Sequence, residues 1–240
     1  MKASLPLSFM LVIVLGIPSS ARSDRKDRTV IELGALGGEG SAAISINARG
    51  QIVGEAETAT GDTHAFLLQK GVMRDLGTLD GDAISSAVFI NDHSQVVGAS
   101  ISETRGVRPI LWTHGVMSYL GSLGGESSTA FAINNRGQVV GESETAAGET
   151  HAFLWDRGVM QDLGTLGGAF TFSVAGSINN RGQVVGMNFM SSGQSRAFVW
   201  QDGIMTALDD SDGSSSALGI NARGDIAGQI LPAGAVLWAR

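Results

Sequence analysis

Cysteine is absent from this chain, which excludes disulfides, thiol nucleophiles, thiolate metal ligands and a cysteine-linked lipid anchor. Stability must come from core burial and from the way segments of the chain close on one another. Tyrosine occurs once, too little for the aromatic girdles of a transmembrane β-barrel. Beyond the first two dozen residues, no run free of charge and glycine approaches the about 20 apolar residues of a spanning helix, so no membrane span is expected in the mature chain. Histidine occurs four times, at His64, His93, His114 and His151. That is too few for a ring-shaped metal site, and none is expected. No G-x-S-x-G, H-E-x-x-H, P-loop or strand-following G-x-G-x-x-G is present, so no catalytic residue and no cofactor is assigned. Asp210-Ser211-Asp212-Gly213 is similar to the start of a calcium loop but lacks its downstream glutamate.

What is present describes an ordered chain, with 43% hydrophobic and 16% charged residues. Thirty-four glycines against four prolines and 6% aromatics fit an all-β protein with many tight turns and closely packed small residues. The formal charge of −7 argues against nucleic acid or anionic lipid as the general partner. Lys2, an apolar stretch through Ile17 and small residues after it make a secretory signal peptide of residues 1–21. Cleavage after Ala21 places Ser19 at the minus-three position, and a cut after Ser23 also fits; an uncleaved anchor is the alternative. Residues 22–28 read as a short linker, and the location as secreted or periplasmic in a bacterium.

Three anchors recur in the remaining 29–240. The first reads INARGQIVG (46–54), INDHSQVVG (90–98), INNRGQVVG (133–141 and 178–186) and INARGDIAG (220–228). A second reads HAFLL (64–68), RPILW (108–112), HAFLW (151–155), RAFVW (196–200) and GAVLW (234–238). The third is LGALGG (33–38) with its counterparts at 76–81, 120–125, 163–168 and a degenerate 208–213. Asparagine to glycine in the first anchor is 7 residues in every copy, whereas third-anchor leucine to next asparagine runs 14, 15, 14, 16 and 13. Length variation is concentrated in one connection, although the fifth copy also shortens the stretch between the first and second anchors.

Each roughly 43-residue unit reads as four short strands, A to D, between turn signals. Asn-x-x-Gly suits the A–B hairpin, and Lys70-Gly71, His114-Gly115, Arg157-Gly158 and Asp202-Gly203 suit the C–D hairpin. Four antiparallel strands per unit predict a single domain at 29–240, a five-bladed β-propeller with small-residue strand A innermost. The chain enters with a D-type strand, Thr29–Leu36, and stops after a C-type strand, so Thr29–Leu36 beside Ala235–Trp238 would complete the last blade and close the ring. An open β-solenoid is the competing architecture.

The signal peptide, INNRGQVVGES, GETHAFLW and DLGTLGG together resemble the bacterial extracellular family named for its His-Ala-Phe tripeptide, the HAF repeat proteins. The resemblance spans 29–240 and implies an exported repeat fold without an established activity. Arg108-Pro109-Ile110, Arg196 and Gly234-Ala235-Val236 depart from the tripeptide, which argues against a catalytic role for its histidine. His64 and His151 are expected to hydrogen-bond locally. Trp112, Trp155, Trp200 and Trp238 are expected to fill the space between blades, with an aromatic glycan platform as the rival reading.

Sorting charge by loop divides the disc. The B–C and D–A loops carry Glu39, Glu57, Asp62, Asp80, Asp82, Glu103, Glu126, Glu144, Glu149, Asp209, Asp210 and Asp212, against Arg105 as the clearest opposing charge. The A–B and C–D turns carry Arg49, Lys70, Arg136, Arg157, Arg181 and Arg223, partly offset by Asp92, Asp156, Asp202 and Asp225. Glu39, Asp82 and Glu126 precede strand A and are the candidate ligand-binding residues at the rim of a central funnel. The leading functional reading is a non-catalytic binding module for a glycan, a cation or a basic protein. The alternatives are a glycan-cleaving enzyme using funnel carboxylates, a structural or matrix protein, and an acidic face that serves solubility alone.

Overall fold

Residues 29–167 and 171–239 are described by the computed structural model. The expected signal peptide at 1–21 and linker at 22–28 lie outside them. The described residues are all-β, and none of their segments is a helix long and apolar enough to cross a membrane.

Every repeat copy lays down one antiparallel meander. Copy 1 forms β1 (Gly37–Ile46), β2 (Ile52–Thr58), β3 (Thr63–Gln69) and β4 (Val72–Asp75). Copy 2 forms β5 (Ile84–Ile90), β6 (Val96–Ser102), β7 (Gly106–Thr113) and β8 (Val116–Tyr119). In copy 3 these are β9 (Gly124–Ile133), β10 (Val139–Thr145), β11 (Thr150–Asp156) and β12 (Val159–Asp162). In copy 4 they are β13 (Phe172–Ile178), β14 (Val184–Phe189), β15 (Ser195–Gln201) and β16 (Ile204–Ala207). Copy 5 contributes β17 (Ser215–Ile220), β18 (Ile226–Ile230) and β19 (Gly234–Trp238). A single parallel bridge, Thr63 to Ile84, links the first two meanders.

The fixed asparagine-to-glycine spacing has a steric cause. Strand A is irregular in each copy, for example between Ala43 and Ser45, and bulges toward strand B. A Cβ on Gly54, Gly98 or Gly186 would lie 1.9 Å from a strand A carbonyl oxygen, so only glycine fits there. The C–D turns hold two consecutive positive φ values, as at Lys70 (52°) and Gly71 (78°), the type I′ geometry that matches strand twist.

Asparagine at the start of the A–B turn has two functions. In copy 1, Asn47 Oδ1 accepts from the main-chain N–H groups of Arg49 and Gln51, both at 3.0 Å. Its Nδ2 crosses to the next sheet and donates to Asn91 O at 2.9 Å. The same reach joins Asn91 to Asn134, Asn134 to Asn179 and Asn179 to Asn221. These turns and the ends of the A strands surround a shared depression of about 370 Å3, lined by Ile46, Ile90, Ile133, Ile178 and Ile220.

A serine six residues before the asparagine makes a second tie between sheets in copies 2, 4 and 5. Ser85 Oγ accepts from Ala65 N at 2.8 Å and donates to Gly77 O at 2.6 Å. Ser173 repeats this with Ala152 and Gly164. Consecutive valines on strand B pack to opposite sides, Val96 with the preceding sheet and Val97 with the following one. Trp112 and Trp200 pack between adjacent sheets as expected, and Phe66, Phe153 and Phe198 are fully buried, each worth roughly 2 kcal/mol or more on burial.

The two ends of the array differ from the expectation. Thr29–Ala35 forms no strand, and Leu36 makes only an isolated parallel bridge to Thr58, donating its N–H to Glu57 O at 3.1 Å. Among the described residues β19 pairs with β18 alone, so the sheets are not closed into a ring. The ladder expected for Thr29–Leu36 beside Ala235–Trp238 is not formed among the described residues.

Candidate functional site

The D–A loops and B–C loops do meet at one end of the sheets, through direct bonds. Main-chain N–H groups of the D–A loop land on strand B side chains: Leu79 on Ser100, Leu123 on Ser143 and Leu166 on Asn188, at 3.0, 2.9 and 2.9 Å. Charge at this end is not uniform, because alternate copies treat their acids differently.

In copies 1 and 3 the tripeptide histidine binds the aspartate of the D strand. His64 Nδ1 lies 2.9 Å from Asp75 Oδ2, and His151 Nδ1 lies 2.8 Å from Asp162 Oδ2. Each aspartate also accepts the N–H of the following glycine, Gly77 or Gly164, at 2.7 Å. The histidines thus lock a turn, as expected. At the loop end of the same copies, Glu57 Oε2 accepts from Glu39 N and Glu144 Oε2 from Glu126 N, both at 3.0 Å. Glu39 and Glu126 are exposed, and among the described residues no cation pairs with either glutamate couple.

Copies 2 and 4 replace the histidine with arginine and engage their acids. Arg108 reaches Asp82, Asp80 at 3.2 Å and Leu79 O at 3.2 Å, while Arg105 holds the other Asp82 oxygen at 3.0 Å. Ser100 Oγ donates to Asp82 at 2.7 Å. Burial by itself would push the Asp82 carboxyl up, but the bonds from Arg108 and Ser100 and the charges of both arginines hold it below the usual carboxylate range. Arg196 similarly binds Asp209 at 3.3 Å and the carbonyl of Ser211.

The three candidate residues therefore separate. Glu39 and Glu126 stand at equivalent exposed positions, whereas Asp82 is buried beneath its arginines and offers no free oxygen to a ligand. This corrects the placement of Asp82 on the funnel rim: a carboxylate seated between two guanidinium groups is worth more as a tie than as a site. It also takes Asp82 out of the funnel carboxylates that the glycan-cleaving alternative would use. The arginine clamp was visible in the chain as covariation between copies. Asp75 and Asp162 accompany the histidines, whereas Tyr119 and Ala207 stand at that rank beside Arg108 and Arg196.

Among the described residues no group of three or more histidine, aspartate and glutamate side chains is arranged to hold a metal ion.

No protein family matches the chain, and no curated protein matches it. Solved structures do. The β-propeller domain of the Trilobed protease from Pyrococcus furiosus superposes with a TM-score of 0.56 at 10% identity, over 83% of this chain and 66% of that one. TolB from Acinetobacter baumannii gives 0.52 at 14% identity, over 80% and 52%. This chain has the β-propeller fold. Dipeptidyl peptidase 4 of Porphyromonas gingivalis gives 0.53 at 12% identity, over 78% of this propeller and 35% of that chain. The propeller thus spans half to two thirds of the first two structures and about a third of the last. At these identities the likeness concerns the fold alone.

Proposed function

We propose that this propeller is an exported, non-catalytic binding module of the HAF-repeat type, with five blades in a closed ring. In that reading Thr29–Leu36 supplies the missing fourth strand beside Ala235–Trp238. The ligand face is the loop end of copies 1 and 3. One observation carries this choice: arginines pair with Asp80 and Asp82 in copy 2 and with Asp209 in copy 4, whereas exposed Glu39 and Glu126, beside half-buried Glu57 and Glu144, have no counter-ion among the described residues. Carboxylates that no cation of the fold engages, repeated on a rigid scaffold, suit a basic protein surface better than a small ion.

The test is binding of a lysine-rich cationic peptide to the mature chain at low and high salt. Saturable, salt-sensitive binding that falls at least tenfold in Glu39→Gln/Glu126→Gln, with thermal stability retained, supports the reading. Equal binding by parent and variant moves the ligand site away from these couples.

A further inference from the structure

Consecutive blades leave a groove between them on the turn end, and the copies make it differently. Between β1–β4 and β5–β8 it is a cavity of about 290 Å3, and between β13–β16 and β17–β19 one of about 430 Å3. Both have a tryptophan of the following blade, Trp112 or Trp238, and two glutamines of the preceding one, Gln51 with Gln69 or Gln183 with Gln201.

In the third and fourth grooves the inner glutamine is satisfied by protein, whereas Gln95 in the second, like Gln51 in the first, has no bond from Nε2 among the described residues. Gln183 Nε2 donates to Gln201 Oε1 at 2.9 Å, and Gln138 Nε2 to Asp156 Oδ2 at 3.3 Å. In the first groove Gln51 Oε1 takes Asn47 Nδ2 at 2.7 Å and Ser94 Oγ at 2.8 Å, yet Nε2 has no acceptor among the described residues. Gln51 is only 2% exposed and lines the cavity. Its Oε1 is fixed by two bonds, which leaves the Nε2 hydrogens for a ligand.

The other differences gather at the same place. Arg74 sits 5.4 Å from the Trp112 ring centroid and pairs with no carboxylate among the described residues. Its rank holds Ser118, Gln161 and Thr206 in the next three copies. His93 and His114, two of the four histidines, complete the rim. No acidic residue lines this cavity in a chain of net charge −7. Leu67, Val72 and Trp112 give it an apolar wall.

We propose that this groove binds a sugar acid, one pyranose ring carrying a carboxylate. The guanidinium of Arg74 presents a fork matched to a carboxylate. Gln51 Nε2, Gln69 and the imidazoles serve ring hydroxyls, and the apolar wall takes the C–H face. The volume lies near the lower end of the about 300–1,000 Å3 of small-ligand sites, which suits one ring, free or at the end of a chain.

Calorimetric titration of the full chain tests it, with D-glucuronate as probe, D-glucose as the neutral control and a glucuronate-terminated disaccharide as the second source. The expected result is one saturable site for glucuronate, free or terminal, binding at least tenfold more tightly than glucose. Arg74→Ala should weaken it at least tenfold and Arg74→Lys less, both with unchanged melting because Arg74 is exposed. Glu39→Gln/Glu126→Gln should leave it intact, which separates this site from the loop face. Binding of the disaccharide alone supports the site and assigns its source. No binding of either glucuronate, equal binding of glucose, or an Arg74→Ala variant that binds like the parent overturns the proposal.

Discussion

The side-chain amide of Asn134 donates to the main-chain carbonyl of Asn179 at 2.9 Å, across 45 residues of chain. Asn134 is buried, and its oxygen also accepts from Arg136 N and Gln138 N, at 2.9 and 3.0 Å. One side chain therefore closes its own turn and fastens the next blade. Asn134→Ala leaves these partners unsatisfied and should cost about 3 kcal/mol, at about 1–3 kcal/mol per buried orphan. Asn134→Asp should cost more, because it turns the donor that faces Asn179 O and Gln138 Oε1 into an acceptor. Urea unfolding of both variants checks the order.

Ser128 and Ser173 hold the same rank in their copies, yet Ser128 Oγ is buried with no hydrogen-bond partner. The cause is Pro109, which stands where Ala65 and Ala152 offer the N–H that Ser85 and Ser173 accept. Ser173→Ala should therefore cost about 2 kcal/mol, whereas Ser128→Ala should change stability by less than about 0.5 kcal/mol. In a Pro109→Ala background the missing donor returns, and Ser128→Ala should become as costly as Ser173→Ala. Equal costs in the parent chain would sink the serine tie.

The repeat, its four-strand phase and the two-ended division of loops were legible because each rests on spacing. Glycine seven residues after asparagine marks the bulge where a Cβ would meet a carbonyl. The state of each charge was not legible from its loop alone. Asp82 and Glu126 occupy the same connection, and only the arginine 26 residues after Asp82 separates a buried tie from an exposed acid.

Asp82 makes stability depend on acid. Its folded pKa lies below the unfolded value of about 3.9, so the unfolded chain binds the proton more readily in that window. The contribution is complete above about pH 4 and is lost as pH falls through the folded pKa. Asp209, half-buried and bound by Ser211, Ser215 and Arg196, shifts the same way. Arg108→Ala should cost about 3 kcal/mol at neutral pH and flatten the loss below pH 4, since Asp82 then keeps only Arg105 and Ser100. Melting curves between pH 3 and 7 measure both effects.

Ring closure makes the sharpest demand on the ends. Ser41 Oγ donates to Gly34 O at 2.6 Å, the distance at which Ser85 binds Gly77 and Ser173 binds Gly164. Ser41 lacks only the alanine N–H that completes the tie elsewhere, and Ala235 holds that rank in β19. The apolar faces show the same gap. Ile46 is 65% exposed where Ile90 is 2%, and Leu237 is 66% exposed where Leu67 is 6%. If the ring closes in solution, both side chains become core, and Ile46→Asp or Leu237→Asp should each cost about 3 kcal/mol or more. Deleting residues 29–36 should then lower the melting of the whole ring in one transition. If the array stays open, either aspartate changes stability by less than about 0.5 kcal/mol, as at any exposed position, and the closed ring is wrong.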